Sequence, residues 1–194
     1  MQGIAGEKAL KLLKAGNIEY ANLGITDGNI SPAQRLKTAQ DGQDPFAIVI
    51  ACSDSRVIPE VIFNCGIGDL FVIRVAGNVI DDHQLGSIEY AAGHLHCNLV
   101  LVLGHTHCGA VSATIEGDAH GYVKYVLDDI REAIGDEKDP YEACHLNVRH
   151  VMKTIEHSLQ IQKVEHEYGL IVRGAIYDIE TGKVDFLPDD VHEG

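Results

Sequence analysis

The stretch Phe46-Ala-Ile-Val-Ile-Ala51 is an unbroken apolar run, and Cys52-Ser-Asp-Ser-Arg56 follows it directly. No polar residue alternates within it, the pattern of a strand covered on both faces. Leu70-Phe-Val-Ile-Arg74 and Asn98-Leu-Val-Leu-Val-Leu103 repeat that pattern. Between these two, Leu85, Ile88, Ala92 and Leu95 fall at helical spacing. Apolar strands alternating with helices predict an α/β fold, a mainly parallel β-sheet flanked by helices.

Outward from this centre, residues 5–22 read as a helix with Ala5, Ala9, Leu12 and Leu13 on one face. Gly24 to Ser31 is a turn region, and residues 32–40 form a short helix opening on Pro32 with Ser31 as N-cap. After Cys108 the pattern is mostly helical. Val148, Val151, Met152, Ile155 and Leu159 mark one long helix, a stripe assigned to structure rather than chemistry. The chain closes with Leu170–Ile179 and Lys183–Leu187 around Glu180-Thr-Gly182, a strand pair expected at the sheet edge. With no repeat, low-complexity tract or linker, residues 1–194 read as one domain, residues 1–40 being an N-terminal helical arm.

Composition narrows the function classes. The hydrophobic share is 45% without any tryptophan, so the core must rest on Val, Ile, Leu and Ala. Fifteen basic against 29 acidic residues give a formal charge of −14. That excludes nucleic acid as a partner, since phosphate binding needs a basic patch, and adsorption to an anionic membrane. The opening segment carries charges throughout and has no apolar core of a signal peptide. The longest apolar runs are too short to span a bilayer. The expected compartment is the cytoplasm. Five cysteines, an odd number, without a secretion signal argue against a disulfide framework and leave thiols free to bind metal.

Three segments carry chemistry: Cys52-Ser-Asp-Ser-Arg56, Gly77-Asn78 and Gly104-His-Thr-His-Cys-Gly109. The first and third follow buried strands, and open α/β sheets bind ligands at the carboxyl ends of strands. Cys52 and His105 emerge side by side if those strands are neighbours. Cys108, three residues after His105, adds a second thiolate, and two thiolates with an imidazole suit tetrahedral zinc. Three protein ligands leave a fourth position, the mark of a catalytic site. Each residue also has a plainer reading. A lone Cys after a strand is more often core, Asp54 could cap a helix, and Arg56 could form a surface ion pair of small value. None of these explains why Asp54 and Arg56 stand at these spacings from a ligand.

Taken together and in order, Cys52-Ser-Asp-Ser-Arg56, Gly68-Asp-Leu-Phe-Val-Ile-Arg74, Ala76-Gly-Asn78, Ser87-Ile-Glu-Tyr-Ala91 and Gly104-His-x-x-Cys-Gly109 resemble a β-class carbonic anhydrase, most closely from about Gln43 to Ala113. The resemblance implies reversible hydration of carbon dioxide by zinc-bound hydroxide, with one Zn²⁺ per chain held by Cys52, His105 and Cys108. It implies Asp54 and Arg56 as the catalytic dyad. Gln43 would donate to a substrate oxygen, Phe71 and Tyr90 would line an apolar pocket across a dimer interface, and the Gly109 amide could contact substrate. Gly77 and Gly109 would permit close backbone approach. His94 is a candidate proton shuttle, and His107 reads as a solvent-facing spacer. Cys65, Cys97 and Cys144 read as structural. The implied partners are carbon dioxide or bicarbonate and further copies of the chain, a homodimer or homotetramer with the N-terminal helix reaching over a neighbour. Hydrolysis of carbon disulfide or carbonyl sulfide on the same fold, or a non-catalytic zinc protein, are the alternatives. One branch of the family binds inhibitory bicarbonate beside the equivalent of Arg74 and carries a tryptophan where this chain has Val49. Val49 therefore predicts that bicarbonate does not close this site.

Overall fold

The computed structural model describes residues 3–24, 26–117 and 119–188. Its centre is a five-stranded sheet in the order β2-β1-β3-β4-β5. The strands are β1 Ala47–Ala51, β2 Leu70–Arg74, β3 Leu99–His105, β4 Ile171–Tyr177 and β5 Val184–Phe186. The first four are parallel, and β5 returns antiparallel to β4 at one edge.

The apolar runs form central strands because both faces of the sheet are covered. Ile48, Ile50, Val100 and Val102 enter one core, while Ala47, Val49, Ala51, Leu99, Leu101 and Leu103 enter the other. All of these are 0% exposed. Each Val, Ile or Leu buried this way contributes about 1.5–3 kcal/mol. Helices α1 (Gly6–Leu23) and α3 (Pro59–Ile62) cover the second core. Helices α4 (Asp82–His94), α5 (Gly109–Glu116), α6 (Val123–Ile134), α7 (Pro140–Glu156) and α8 (Leu159–Tyr168) pack on the first. Helix α2 (Pro32–Asp41) buries no residue and starts on Ser31, whose side chain accepts from the Gln34 amide at 3.2 Å. Among the described residues, no helix is long and apolar enough to cross a membrane.

The structure corrects three sequence expectations. First, the buried face of α1 is Ala9, Leu10, Leu13, Gly16 and Asn17, whereas Leu12 is 45% exposed and Ala5 lies outside. Asn17 sets this rotation. Its amide donates to the carbonyls of Ile62 and Gly182 at 3.2 and 2.9 Å and accepts from Val184 N at 2.9 Å. Second, β2 has the composition of a doubly buried strand yet lies at the sheet edge, half-buried, with Arg74 exposed. Third, the stripe read as one helix is two. Ser158 caps α8, accepting from Ile161 N at 3.2 Å, and Leu159 is 83% exposed. Val148, Val151, Met152 and Ile155 are buried as expected.

Two features of this fold position the site. The chain leaves β1 for β2 on one side and returns to β3 on the other. The carboxyl ends of β1 and β3 thus form a topological switch point, where open α/β sheets hold ligands. Helix α7 lies unusually close to β3 and β4, because a Cβ at Gly104 would stand 2.6 Å from Val148 and one at Gly174 would stand 2.6 Å from Met152.

Candidate metal centre and active site

Cys52 follows β1, His105 ends β3, and Cys108 is the residue before α5. The chain returns toward Cys108 through His107, whose φ of 57° lies in the left-handed region. All three side chains are buried, and their donor atoms lie within 4.8 Å of one another. Among the described residues this is the one cluster of its kind, and it offers three protein donors.

The surroundings fit zinc. His105 Nδ1 lies 2.9 Å from the Thr106 carbonyl. A carbonyl can only accept, so Nδ1 carries the proton and the Nε2 lone pair is free. Nε2 is buried without a hydrogen-bond partner, a costly state that a bound cation relieves. The Cys108 thiol, hydrogen-bonded to Cys52, is the strongest influence on Cys52. Against the opposing effect of burial, this contact together with His105 and the amides of Asp54 and Gly77 pulls the Cys52 thiol below its ordinary range. The same contact, reinforced by burial, pushes Cys108 up. The pair therefore holds one ready thiolate, and a divalent cation would supply the charge that lets both ionise.

Asp54 stands one turn from Cys52 and is gripped by Arg56. The guanidinium donates from Nε to Oδ1 at 3.0 Å and from Nη2 to Oδ2 at 2.7 Å, and the Arg56 amide donates to Oδ1 at 3.0 Å. This forked contact is the main reason the Asp54 carboxyl is held well below the usual carboxylate range. Arg56 Nη2 also donates to the His107 carbonyl at 3.1 Å, tying the dyad to the His105–Cys108 turn. Asp54 is thus an ionised acceptor fixed beside the metal ligands.

The carbonic anhydrase family matches residues 47–184. The chain is 36% identical to a carbonic anhydrase of Mycolicibacterium smegmatis over 91% of both chains. It is 36% identical to carbonic anhydrase 2 of Mycobacterium tuberculosis over 90% of this chain and 89% of that one. Among solved structures, the β-carbonic anhydrase CafA of Aspergillus fumigatus superposes with a TM-score of 0.77 at 28% identity, covering 97% of this chain and 92% of that one. A structure from the report of two tetrameric β-carbonic anhydrases of Sordaria macrospora gives a TM-score of 0.72 at 28% identity, covering 93% and 94%. The chain belongs to the β-carbonic anhydrase family. Its reaction is the reversible hydration of carbon dioxide to bicarbonate and a proton, and its metal is zinc.

Not every residue expected at a β-carbonic anhydrase pocket meets the metal ligands within one chain. Phe71 and Tyr90 do meet each other, ring centroids 6.4 Å apart, and the His94 ring lies tilted against Tyr90 at 5.2 Å. Phe71, however, pairs in register with Ile48, about 13 Å of strand before Cys52. Helix α4 starts beside the site and runs back, so Tyr90 and His94 end at the amino-terminal side of the sheet. Gln43 is exposed in the loop before β1, also at that side. Gly109 is exposed, and a Cβ there would meet nothing of this chain within 4 Å. Gly77 is required: its φ is 65° and a Cβ would stand 2.6 Å from Ile130.

The remaining residues sort cleanly. His107 is exposed, its Nε2 3.2 Å from a Glu180 carboxylate oxygen. Cys65, Cys97 and Cys144 are free and buried, and burial raises them to about 12, 12 and 11. Val49 is 0% exposed. Arg74 donates from Nε to the Cys52 carbonyl at 3.0 Å and from Nη2 to the Asp54 carbonyl at 2.7 Å, so its guanidinium braces the Cys52–Arg56 turn. Sequence reading missed Asn147, a buried amide on α7 that donates to the Gly77 carbonyl at 2.8 Å. The available signal was one polar residue inside an apolar stripe.

Proposed function

We propose that hydration proceeds at this centre with Cys52, His105 and Cys108 holding one zinc ion and Asp54 and Arg56 acting beside it. The observation that carries this reading is His105 Nε2, buried and unpartnered within a three-donor group. Zinc bound there supplies the polarisation that brings the pKa of a water toward neutrality. Asp54 accepts a hydrogen bond from the nucleophilic water and aims its lone pair at the carbon of carbon dioxide. Arg56 keeps Asp54 ionised and still, because a forked contact leaves the carboxylate little freedom. The Gly109 amide is free to donate to a substrate oxygen.

The assembly is a homodimer or a pair of dimers. Its support is the half-buried edge strand β2, Tyr90 at 47% exposure, and apolar Leu12, Ile18 and Leu23 left open on α1. In such an assembly α1 reaches over the neighbour, and Gln43, Phe71 and Tyr90 of one chain wall the pocket of the other. His94, on the same surface, would carry the proton out. The cytoplasm is the compartment that keeps five unpaired cysteines reduced. Stopped-flow hydration across pH, with metal analysis of the same sample, tests the whole reading. One zinc per chain and a rate that rises with pH are expected. Zinc without hydration at any pH would overturn it in favour of a structural metal.

A further inference from the structure

The buried face of α7 carries Asn147, 1% exposed, amid Val148, Val151 and Ile155. Its Nδ2 donates to the Gly77 carbonyl at 2.8 Å, and the Gly77 amide donates to Cys52 Sγ at 3.2 Å. Gly77 is therefore gripped by its carbonyl from α7 and delivers its amide to a metal ligand. Glycine adopts its left-handed backbone (φ 65°) without strain but also has other conformations open to it, so a neighbouring contact is what selects this one.

A second observation separates this role from packing. Asn147 Oδ1 is buried with no hydrogen-bond partner, as is Nδ2 of the adjoining Asn78. An unpartnered buried carbonyl costs free energy that an isosteric leucine would avoid. The amide keeps that cost and in return satisfies the buried Gly77 carbonyl, so what it serves is the backbone whose amide faces Cys52. One turn earlier on the same helix, the Cys144 thiol donates to the His105 carbonyl at 3.3 Å. The face of α7 touches the backbone behind two of the three ligands. Gly104 and Gly174, which let α7 lie close, make both contacts reachable.

We propose that Asn147 is a positioning residue for the metal centre. It sets the direction of the Gly77 amide, which withdraws charge from the Cys52 thiolate and fixes its lone pair, while Cys144 backs His105 in a secondary role. The inference rests on the zinc reading above and not on the hydration step. Outer-shell partners of metal ligands typically change metal affinity by about 10–100-fold. Asn147 acts one bond further out, so its effect belongs near the lower end.

The test compares wild type with Asn147→Leu and Asn147→Ala by three measurements. These are zinc competition against a chromophoric chelator, thermal unfolding of the zinc-free proteins, and the thiolate charge-transfer band after cobalt(II) substitution. The leucine variant is expected to melt below wild type without zinc, because the buried Gly77 carbonyl loses its donor, to bind zinc about tenfold more weakly than that lost stability accounts for, and to show a shifted cobalt band. If leucine disturbs folding, the alanine variant carries the same affinity and spectral comparison. Wild-type zinc affinity and an unshifted band in a folded variant would overturn the proposal. So would an affinity loss that only mirrors lost stability of the zinc-free protein. A wild type that binds no zinc would instead remove the metal centre itself.

Discussion

The metal cage and the proposed pocket wall are built in opposite ways. Cys52, His105 and Cys108 are 5%, 1% and 3% exposed, and contacts from Gly77, Thr106 and Cys144 of their own chain hold them. Phe71, Tyr90, His94 and Gln43 gather at the other end of the sheet, on an edge strand, a helix terminus and a loop that stay half-open. The cage must hold donors fixed before a metal arrives, and one chain's switch point achieves that. A wall for an apolar molecule must be dry, and the residues proposed for it are open to solvent in a single chain.

The comparison can be broken in order of expected effect. Cys52→Ser or His105→Ala should remove zinc and lower hydration by more than roughly 1,000-fold, since an unassisted water is far less acidic. Sedimentation should show the oligomer intact, and dissociation with the loss of zinc would mean cage and wall are not separate. Asp54→Asn should keep zinc by metal analysis but slow hydration on the order of 10²-fold or more, the usual range for a removed proton-handling group. Tyr90→Ala should behave inversely. Zinc stays, self-association weakens, and activity falls about tenfold with a dependence on protein concentration, as expected when a large aromatic anchor is truncated. A monomeric Tyr90→Ala variant with full activity would place the whole pocket within one chain.

Smaller effects sharpen the cage side. The folded pKa of Asp54 lies below its unfolded value. The pair's contribution is therefore fully present above the ordinary carboxylate pKa, near 4, and is lost only as pH falls through the depressed folded value. Arg56→Ala should move the Asp54 titration, followed by carboxyl NMR, up toward the ordinary value. An unchanged titration would mean that Arg56 is not its cause. The smallest change is expected from bicarbonate. Arg74 is already bonded to two backbone carbonyls, so a crystal soaked in bicarbonate should keep Asp54 on Arg56. An ion beside Arg74 with Asp54 turned toward the metal would contradict this.

Much of this was readable in the chain. Ala47–Ala51 and Leu99–His105 announced doubly covered strands because uninterrupted apolar runs match strands covered on both faces. The ligand set and dyad were readable because Cys52, Asp54 and Arg56 lie within one turn, as do His105 and Cys108, and local spacing survives folding. The edge position of β2, the rotation of α1 and the break before Leu159 were not. Leu70–Arg74 has the same composition at an edge as at a centre. Only the long-range bonds of Asn17 turn α1, and Leu159 keeps the helical period across the Ser158 cap.

By itself the sequence determined the fold class, the three metal donors and the carboxylate–guanidinium pair, all written in short-range patterns of hydrophobicity and spacing. The tertiary structure alone decided that β1 and β3 are neighbours, which converts two separate motifs into one cage. It also decided that Asn147, distant in sequence, supports Gly77 behind Cys52, and that Phe71 pairs with Ile48, four residues along the strand from Cys52. Those outcomes depend on strand order, helix depth and chain direction. They arise from packing the whole chain, and no local window encodes them.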